Sequence, residues 1–242
     1  MKTVLITGAS GGIGAAIARE FAKNHYNLIL NCMHSVDELE ILSEDLRQKY
    51  HTNCISCIGD VGDFAFVEQM FADAKKHFGS IDVLVNNAGI SHIGLLGQMS
   101  IEEWNRIVST NLNSVFYCCK CAIPDMLHQK NGKIINISSV WGVVGASCEV
   151  AYSATKGAIN TMTTALAKEL APSNIQVNAI ACGTIDTQMN ACFTLEEKEA
   201  LESEIPCGRY GRPEEVAELA YSLATSSSYL TGQVIRLDGG WI

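Results

Sequence analysis

Three residues of this sequence have the types and spacing for proton transfer to a single oxygen: Ser139, Tyr152 and Lys156. Tyr152 and Lys156 are four apart, so a helix through 151–171 puts them on one face, one turn from each other. A phenol with its ordinary pKa near ~10 is a poor acid or base at neutral pH. An ammonium held close favours the phenolate and brings that pKa towards a working range. Ser139 stands thirteen positions before Tyr152, just after the strand-like run Lys133 to Ile137. A hydroxyl there can point at the same reacting oxygen. Taken alone, Tyr-x-x-x-Lys also fits plain surface amphipathicity. The elements around it decide between the two.

The first of those elements is Val4-Leu5-Ile6, a buried-strand pattern that runs into Thr7-Gly8-Ala9-Ser10-Gly11-Gly12-Ile13-Gly14 and then into helix formers from Ala15 to Ala22. Strand, glycine turn and helix together are the context in which such a motif binds a dinucleotide. Gly8 permits the tight turn, Gly12 close approach to a pyrophosphate, and Gly14 close helix packing. The helix start, with Ser10 and Ile13 beside it, offers free amides to the phosphates.

A second strand, Asn27 to Leu30, leads to Asn31-Cys32-Met33-His34-Ser35, with no carboxylate before Asp37. A carboxylate there would bond a ribose 2′-hydroxyl and reject a 2′-phosphate. With none present, Asn31, His34 and Ser35 can donate to such a phosphate, so NADP(H) is expected over NAD(H). His34 equally fits a solvated loop. A third strand, Cys54 to Ile58, ends at Gly59-Asp60-Val61, where Asp60 would accept from an adenine amino group or cap the helix near Phe64. A fourth strand, Ile81 to Val85, leads to Asn86-Asn87-Ala88-Gly89, small residues that let backbone lie beside a flat ring while Asn87 braces the sheet.

Ile101 to Gln129 reads as one long helix with Trp104, Ile107, Val108, Phe116 and Ile123 on apolar spacing. Asn111 sits among them, where an amide needs a partner; it holds a water beside Lys156 or marks a local kink. Strand five ends at Ser138-Ser139. Strand six, Gln176 to Ala181, is followed by Cys182-Gly183-Thr184-Ile185-Asp186-Thr187, a turn with amides and hydroxyls for a carboxamide and a pyrophosphate. The polar stretch from Thr187 to Glu204 suits a lid, and Gln233 to Leu237 is a seventh strand. Strands alternating with helices throughout predict a Rossmann-type, doubly wound parallel sheet flanked by helices in three α/β/α layers, with 1–242 as one domain.

Composition narrows the partners. No apolar run nears the roughly twenty residues needed to span a bilayer, and the start lacks a signal-peptide layout, so a cytoplasmic location is expected. The net charge of −9, with no basic run, disfavours nucleic acid and anionic membranes. The chain has 10 cysteines, most of them in apolar runs that suit reduced thiols. Cys54-x-x-Cys57 lacks the second ligand pair of a zinc site, so no metal is expected.

Taken together, Thr7-Gly8-x-x-x-Gly12-x-Gly14, Asn86-Asn87-Ala88-Gly89, Asn111, Ser139 and Tyr152-x-x-x-Lys156 resemble the short-chain dehydrogenase/reductase family over the whole chain. The resemblance implies a seven-stranded sheet with Tyr152 as general acid/base and Ser139 orienting the substrate oxygen. It implies that Lys156 lowers the Tyr152 pKa and bonds the nicotinamide ribose, and that Asn111 positions a relay water. Hydride would pass to a carbonyl carbon, and a homotetramer or homodimer is implied by the C-terminal segment. Within the family the chain looks most like the 3-oxoacyl-[acyl-carrier-protein] reductases. It departs from them at Gly11, Cys182 and Ser173, where arginine, proline and arginine are usual, with Lys130 also at an arginine position; the −9 charge likewise disfavours docking to an acidic carrier.

A second, local resemblance is to the elongation factor P 5-aminopentanone reductases. It is carried by Ser139-Val140-Trp141-Gly142, Gly145-Ala146-Ser147-Cys148-Glu149-Val150, Ser91-His92 and Gly240-Trp241. That group reduces a ketone on a lysine-like protein side chain. By this resemblance His92, Trp141 and Glu149 face the substrate, with Glu149 pairing an ammonium and Trp141 adding a cation–π contact. Glu149 also fits a helix cap. The expectation is an NADP(H)-using ketone reductase whose substrate is carried on a thioester or a protein side chain. A non-catalytic nucleotide sensor or scaffold on the same fold, and a nucleotide-sugar epimerase, are the competing classes; the intact Asn111, Ser139, Tyr152 and Lys156 set disfavours the first and the short chain the second.

Overall fold

Seven strands form one sheet in the computed structural model, which describes residues 1–190 and 193–242. They are β1 (Thr3–Ile6), β2 (Asn27–Cys32), β3 (Cys54–Ile58), β4 (Val83–Asn86), β5 (Gly132–Ser139), β6 (Ile175–Cys182) and β7 (Val234–Leu237), in the order β3-β2-β1-β4-β5-β6-β7. All pairings are parallel, with Ile6 opposite Leu30 and Val85, and Ser139 opposite Cys182. Parallel strands need covering on both faces, which is why they read as near-continuous apolar runs.

Alternate residues of each strand feed two cores. Val4, Ile6, Leu28 and Leu30 pack under α1 (Gly12–Lys23), α2 (Val36–Tyr50) and α9 (Pro213–Thr225). Leu5, Ile29 and Leu84 pack under α3 (Phe64–Phe78), α5 (Ser114–Gln129) and α7 (Val150–Leu170). Phe21 of α1, wholly buried, meets Tyr26 and Tyr221 edge-on at centroid distances of 4.9 and 5.5 Å, joining α1 to α9. Truncating such a ring costs about 3–5 kcal/mol.

The long helix expected over 101–129 is α4 (Ile101–Val108) and α5 joined without a break by a π-helical turn, Ser109–Asn113. Two of its apolar positions are not core: Trp104 is 36% and Phe116 52% exposed, and with Ile101 at 71% they leave apolar surface on this helix. Asp63, not Asp60, caps α3 by accepting from Ala65 N–H at 2.9 Å. The stretch Thr187 to Glu204 includes α8 (Leu195–Glu204), a formed helix with a Thr194–Glu197 capping box; residues 191–192 of it lie outside the described residues. Among the described residues no helix is long and apolar enough to cross a membrane.

Strand order reverses between β1 and β4, so the crevice opens at the carboxyl ends of the central strands. Those ends deliver Gly8, Asn87, Ser139 and Gly183, with the short helix α6 (Trp141–Val144) following Ser139.

Candidate active site

The first wall of the crevice is the glycine turn. Gly8 has φ +62°, a backbone open to glycine, and a Cβ on Gly14 would stand 2.2 Å from the Gly8 carbonyl. Both positions therefore tolerate no side chain. Asn87 pins the turn by donating to the Thr7 and Gly8 carbonyls at 2.9 Å each. Thr7 Oγ1 returns the favour, accepting from Asn87 and Ala88 N–H at 3.0 Å. Thr7 is a positioning residue that its type alone did not reveal.

Asn31 does not stand as expected. It is buried, its amide donates to the Cys57 and Gly59 carbonyls at 3.0 Å each, and its Oδ1 accepts from Gly8 N–H. Both ends of the amide are spent on backbone, which excludes it as a donor to a 2′-phosphate. His34 remains exposed beyond it. Asp60 folds back to accept from Gly62 N–H at 2.7 Å, and neither Asp60 nor buried Val61 lines the crevice.

The crevice holds about 390 Å³ and is lined at one end by Gly8, Ser10, Gly12 and Ile13 and by Asn87, Ala88 and Gly89. Gly183, Ile185 and Thr187 close it from the opposite side. A Cβ on Gly12 would meet Thr187 Cγ2 at 3.2 Å, so the two turns face each other. Bare backbone, the free amides at the start of α1 and a cradle that added Cβ atoms would fill all fit a dinucleotide.

At the other end Ser139, Tyr152 and Lys156 come together. Lys156 is only 4% exposed, and its Nζ donates to the Ile137 carbonyl at 2.8 Å. Burial holds it down to about 8. Its Nζ lies 5.5 Å from the Tyr152 ring centroid. Burial pushes the Tyr152 phenol up, the hydrogen bond from Ser139 pulls it down, and Cys182 and Glu149 push it up again. Burial is the largest of these influences on the phenol, and Lys156 is not among them. Ser139 Oγ accepts from Trp141 N–H at 3.1 Å, which aims its own proton.

Asn111 finds its partners in the Ile90 backbone and the Thr155 hydroxyl. Nδ2 donates to the Ile90 carbonyl (2.9 Å) and to Thr155 Oγ1 (3.2 Å), and Oδ1 accepts from Ile90 N–H (2.8 Å). A Cβ on Gly89 would stand 3.4 Å from Lys156 Nζ and 3.5 Å from Asn111 Oδ1, so the glycine separates those groups with bare space.

Of the expected substrate residues, Trp141 and Glu149 line the crevice and His92 does not. His92 turns to α4, its Nδ1 3.7 Å from Glu103 Oε1. Glu149 precedes α7 but its carboxylate caps nothing; it accepts from Ser91 Oγ at 2.5 Å instead. Ser91, Ile93, Cys182, Phe193 and Trp241 also line the crevice. Ser91, Cys182 and Trp241 stand in the motifs quoted above, whereas no local spacing marks Ile93 and Phe193, since loop contacts leave no periodicity. Asn160 is a further hidden brace, accepting from Ser138 Oγ at 2.6 Å and donating to the Gly142 carbonyl at 3.0 Å.

Comparison with known proteins agrees with this fold. The family described as short chain dehydrogenase matches residues 2–198. The 3-oxoacyl-[acyl-carrier-protein] reductase of Staphylococcus aureus is 39% identical over 240 residues, covering 99% of this chain and 97% of its own. An uncharacterized oxidoreductase of Bacillus subtilis, YmfI, is 40% identical over 241 residues, covering 99% and 98%. The crystal structure of a 3-oxoacyl-[acyl-carrier protein] reductase from Brucella melitensis superposes with a TM-score of 0.93 at 34% identity, over 100% of this chain and 91% of that one.

Proposed function

The chain belongs to the short-chain dehydrogenase family of oxidoreductases, and from that premise we propose that it reduces the ketone of a 3-oxoacyl thioester to a secondary alcohol, using NADP(H). The observation that carries this reading is the convergence of Ser139, Tyr152 and Lys156 on one crevice, with Lys156 buried. A nicotinamide dinucleotide, when bound, supplies a hydride to the carbonyl carbon. Gly8, Ser10, Gly12, Ile13 and Thr187 would hold its phosphates, and Ala88, Gly89, Gly183 and Ile185 its ring end. The absence of a carboxylate after β2, with His34 exposed there, favours the 2′-phosphate form.

Burial keeps the Tyr152 phenol protonated, which is the form a reductase needs. Tyr152 gives its proton to the carbonyl oxygen as that oxygen gains charge, and Ser139 donates a hydrogen bond to the same oxygen. Lys156, as an ammonium, stabilises the phenolate left behind. Asn111 holds the Ile90 backbone against this corner, next to Gly89.

A second reading is favoured by Glu149. Freed from capping, its carboxylate stands in the crevice with Trp141, a pair suited to a ketone that carries an ammonium on a protein side chain. NADPH consumption by the purified protein, offered acetoacetyl-acyl carrier protein and elongation factor P bearing a 5-aminopentanone group, separates the two. Turnover of neither would defeat both. The exposed Ile101, Trp104 and Phe116 support a homo-oligomer, to be checked by light scattering.

A further inference from the structure

We infer that Trp241 is a specificity-determining residue of this crevice, against which the carbon chain of the substrate packs. The inference rests on the ketone reductase reading and adds a wall to it.

Trp241 reaches the crevice from the far edge of the sheet. β7 ends at Leu237, whose carbonyl accepts from Gly183 N–H at 2.9 Å. The chain then reverses through Gly239 and Gly240, with φ +66° and +84°. Asp238 fixes the reversal: its carboxylate accepts from Gly240 N–H at 3.0 Å and Ile242 N–H at 3.3 Å, and its carbonyl from Trp241 N–H at 3.3 Å. The turn is wedged on both sides. A Cβ on Gly183 would come 2.8 Å from Asp238 Cα, and one on Gly239 would come 2.8 Å from Ile205 Cγ2. Cys207 N–H also donates to the Gly239 carbonyl at 3.1 Å.

So placed, the Trp241 indole lines the crevice and meets Trp141 at a centroid distance of 5.0 Å and an interplanar angle of 63°. Edge-to-face pairs of this kind hold each other's orientation. Trp141 is in turn tied to the reacting corner, since its backbone N–H donates to Ser139 Oγ. The two indoles thus form one angled apolar wall that begins beside Ser139. A substituent extending from a carbonyl held at Ser139 and Tyr152 must run along that wall. Each methylene it buries there strengthens binding.

The test uses 3-oxoacyl thioesters of increasing length, from acetoacetyl to 3-oxododecanoyl, with wild-type protein, Trp241→Ala and Trp241→Phe. Trp241→Ala raises KM for the longest member about tenfold and for the shortest less than about twofold, and Trp241→Phe recovers most of the difference. Equal changes along the series, or none, overturn the inference. Wild-type protein that consumes no NADPH with any member defeats the reductase reading instead. Trp241 is then judged by binding of 3-oxododecanoyl thioester alone, followed by indole fluorescence. Weaker binding to Trp241→Ala sustains its role, and equal binding overturns it.

Discussion

Asn111 and Ile90 are joined by two hydrogen bonds running in opposite directions, amide to carbonyl at 2.9 Å and N–H to amide oxygen at 2.8 Å. A side chain in the middle of a helix thereby replaces the partner that the strand-end loop lacks. Asn111→Ala would leave the Ile90 N–H and C=O without it, and removing a partner from a buried group costs about 1–3 kcal/mol. The variant should lose about 1–3 kcal/mol of stability, seen as a lower denaturation midpoint, and lose turnover as well. An unchanged midpoint would contradict the role given to Asn111.

Tyr152→Phe keeps the ring and removes the proton. Reduction should slow by about 10²–10⁴, while NADPH still binds, as followed by fluorescence. Retained turnover would revive the nucleotide-sensor alternative.

The pH break in reduction should come from Lys156 rather than Tyr152. Burial raises the phenol out of the working range and holds the lysine near about 8. The rate of reduction should therefore hold up to that pH and then fall about tenfold per unit as the ammonium is lost. A profile flat from neutral pH well into the alkaline range would rule this out.

The same lysine sets a stability trend. Its folded value, about 8, lies below the ordinary lysine value in the unfolded chain. Between the two the unfolded chain binds more protons, so stability rises with pH there; below about 8 both states are charged and the desolvation cost persists in full. Lys156→Met removes the titration. Thermal melts of wild type and variant should converge as pH rises above that value, and parallel curves would count against it.

Asn31 and His34 should separate cleanly. Asn31→Ala strips the brace from the glycine turn and weakens NADPH and NADH alike, with a loss of about 1–3 kcal/mol in stability. His34→Ala should weaken NADPH alone, several-fold. Titrations with both nucleotides decide; a selective effect of Asn31→Ala would reverse the assignment.

Glu149→Gln keeps the shape and the Ser91 contact while removing the charge. For a ketone carrying an ammonium, kcat/KM should fall about tenfold against its uncharged isostere. No change in that ratio would leave Glu149 as a bond to Ser91 only.

How much of this was readable depended on whether a residue's role is local. The strands showed as apolar runs because both sheet faces are buried, and the glycine turn showed because backbone geometry restricts positions such as 8 and 14 to one residue type. Tyr152 and Lys156 follow from helical spacing. Glu149 and His92 were harder. Each sits next to a motif, but its side-chain direction is set by a partner outside that motif, Ser91 for one and Glu103 of α4 for the other. Asn31 looked free because its type and loop position are those of a donor; the carbonyls that consume it come from β3. Trp104 and Phe116 kept the spacing of core residues while facing outward, since periodicity shows that a face is apolar and not what covers it.

The π-helical turn at Ser109–Asn113 has a further meaning for the helix that contains it. One residue more than an α-helix needs advances everything after it by about 100° around the axis. α4 and α5 therefore obey two different phases, and Asn111 sits in the slip between them. A single-residue deletion anywhere from 109 to 113 would heal the helix and turn one half against the other. Either Ile107 on one side or Val115 and Cys118 on the other would leave its core. The irregularity works as a ratchet tooth: it lets one rigid rod mesh with two surfaces whose spacing no regular helix could match.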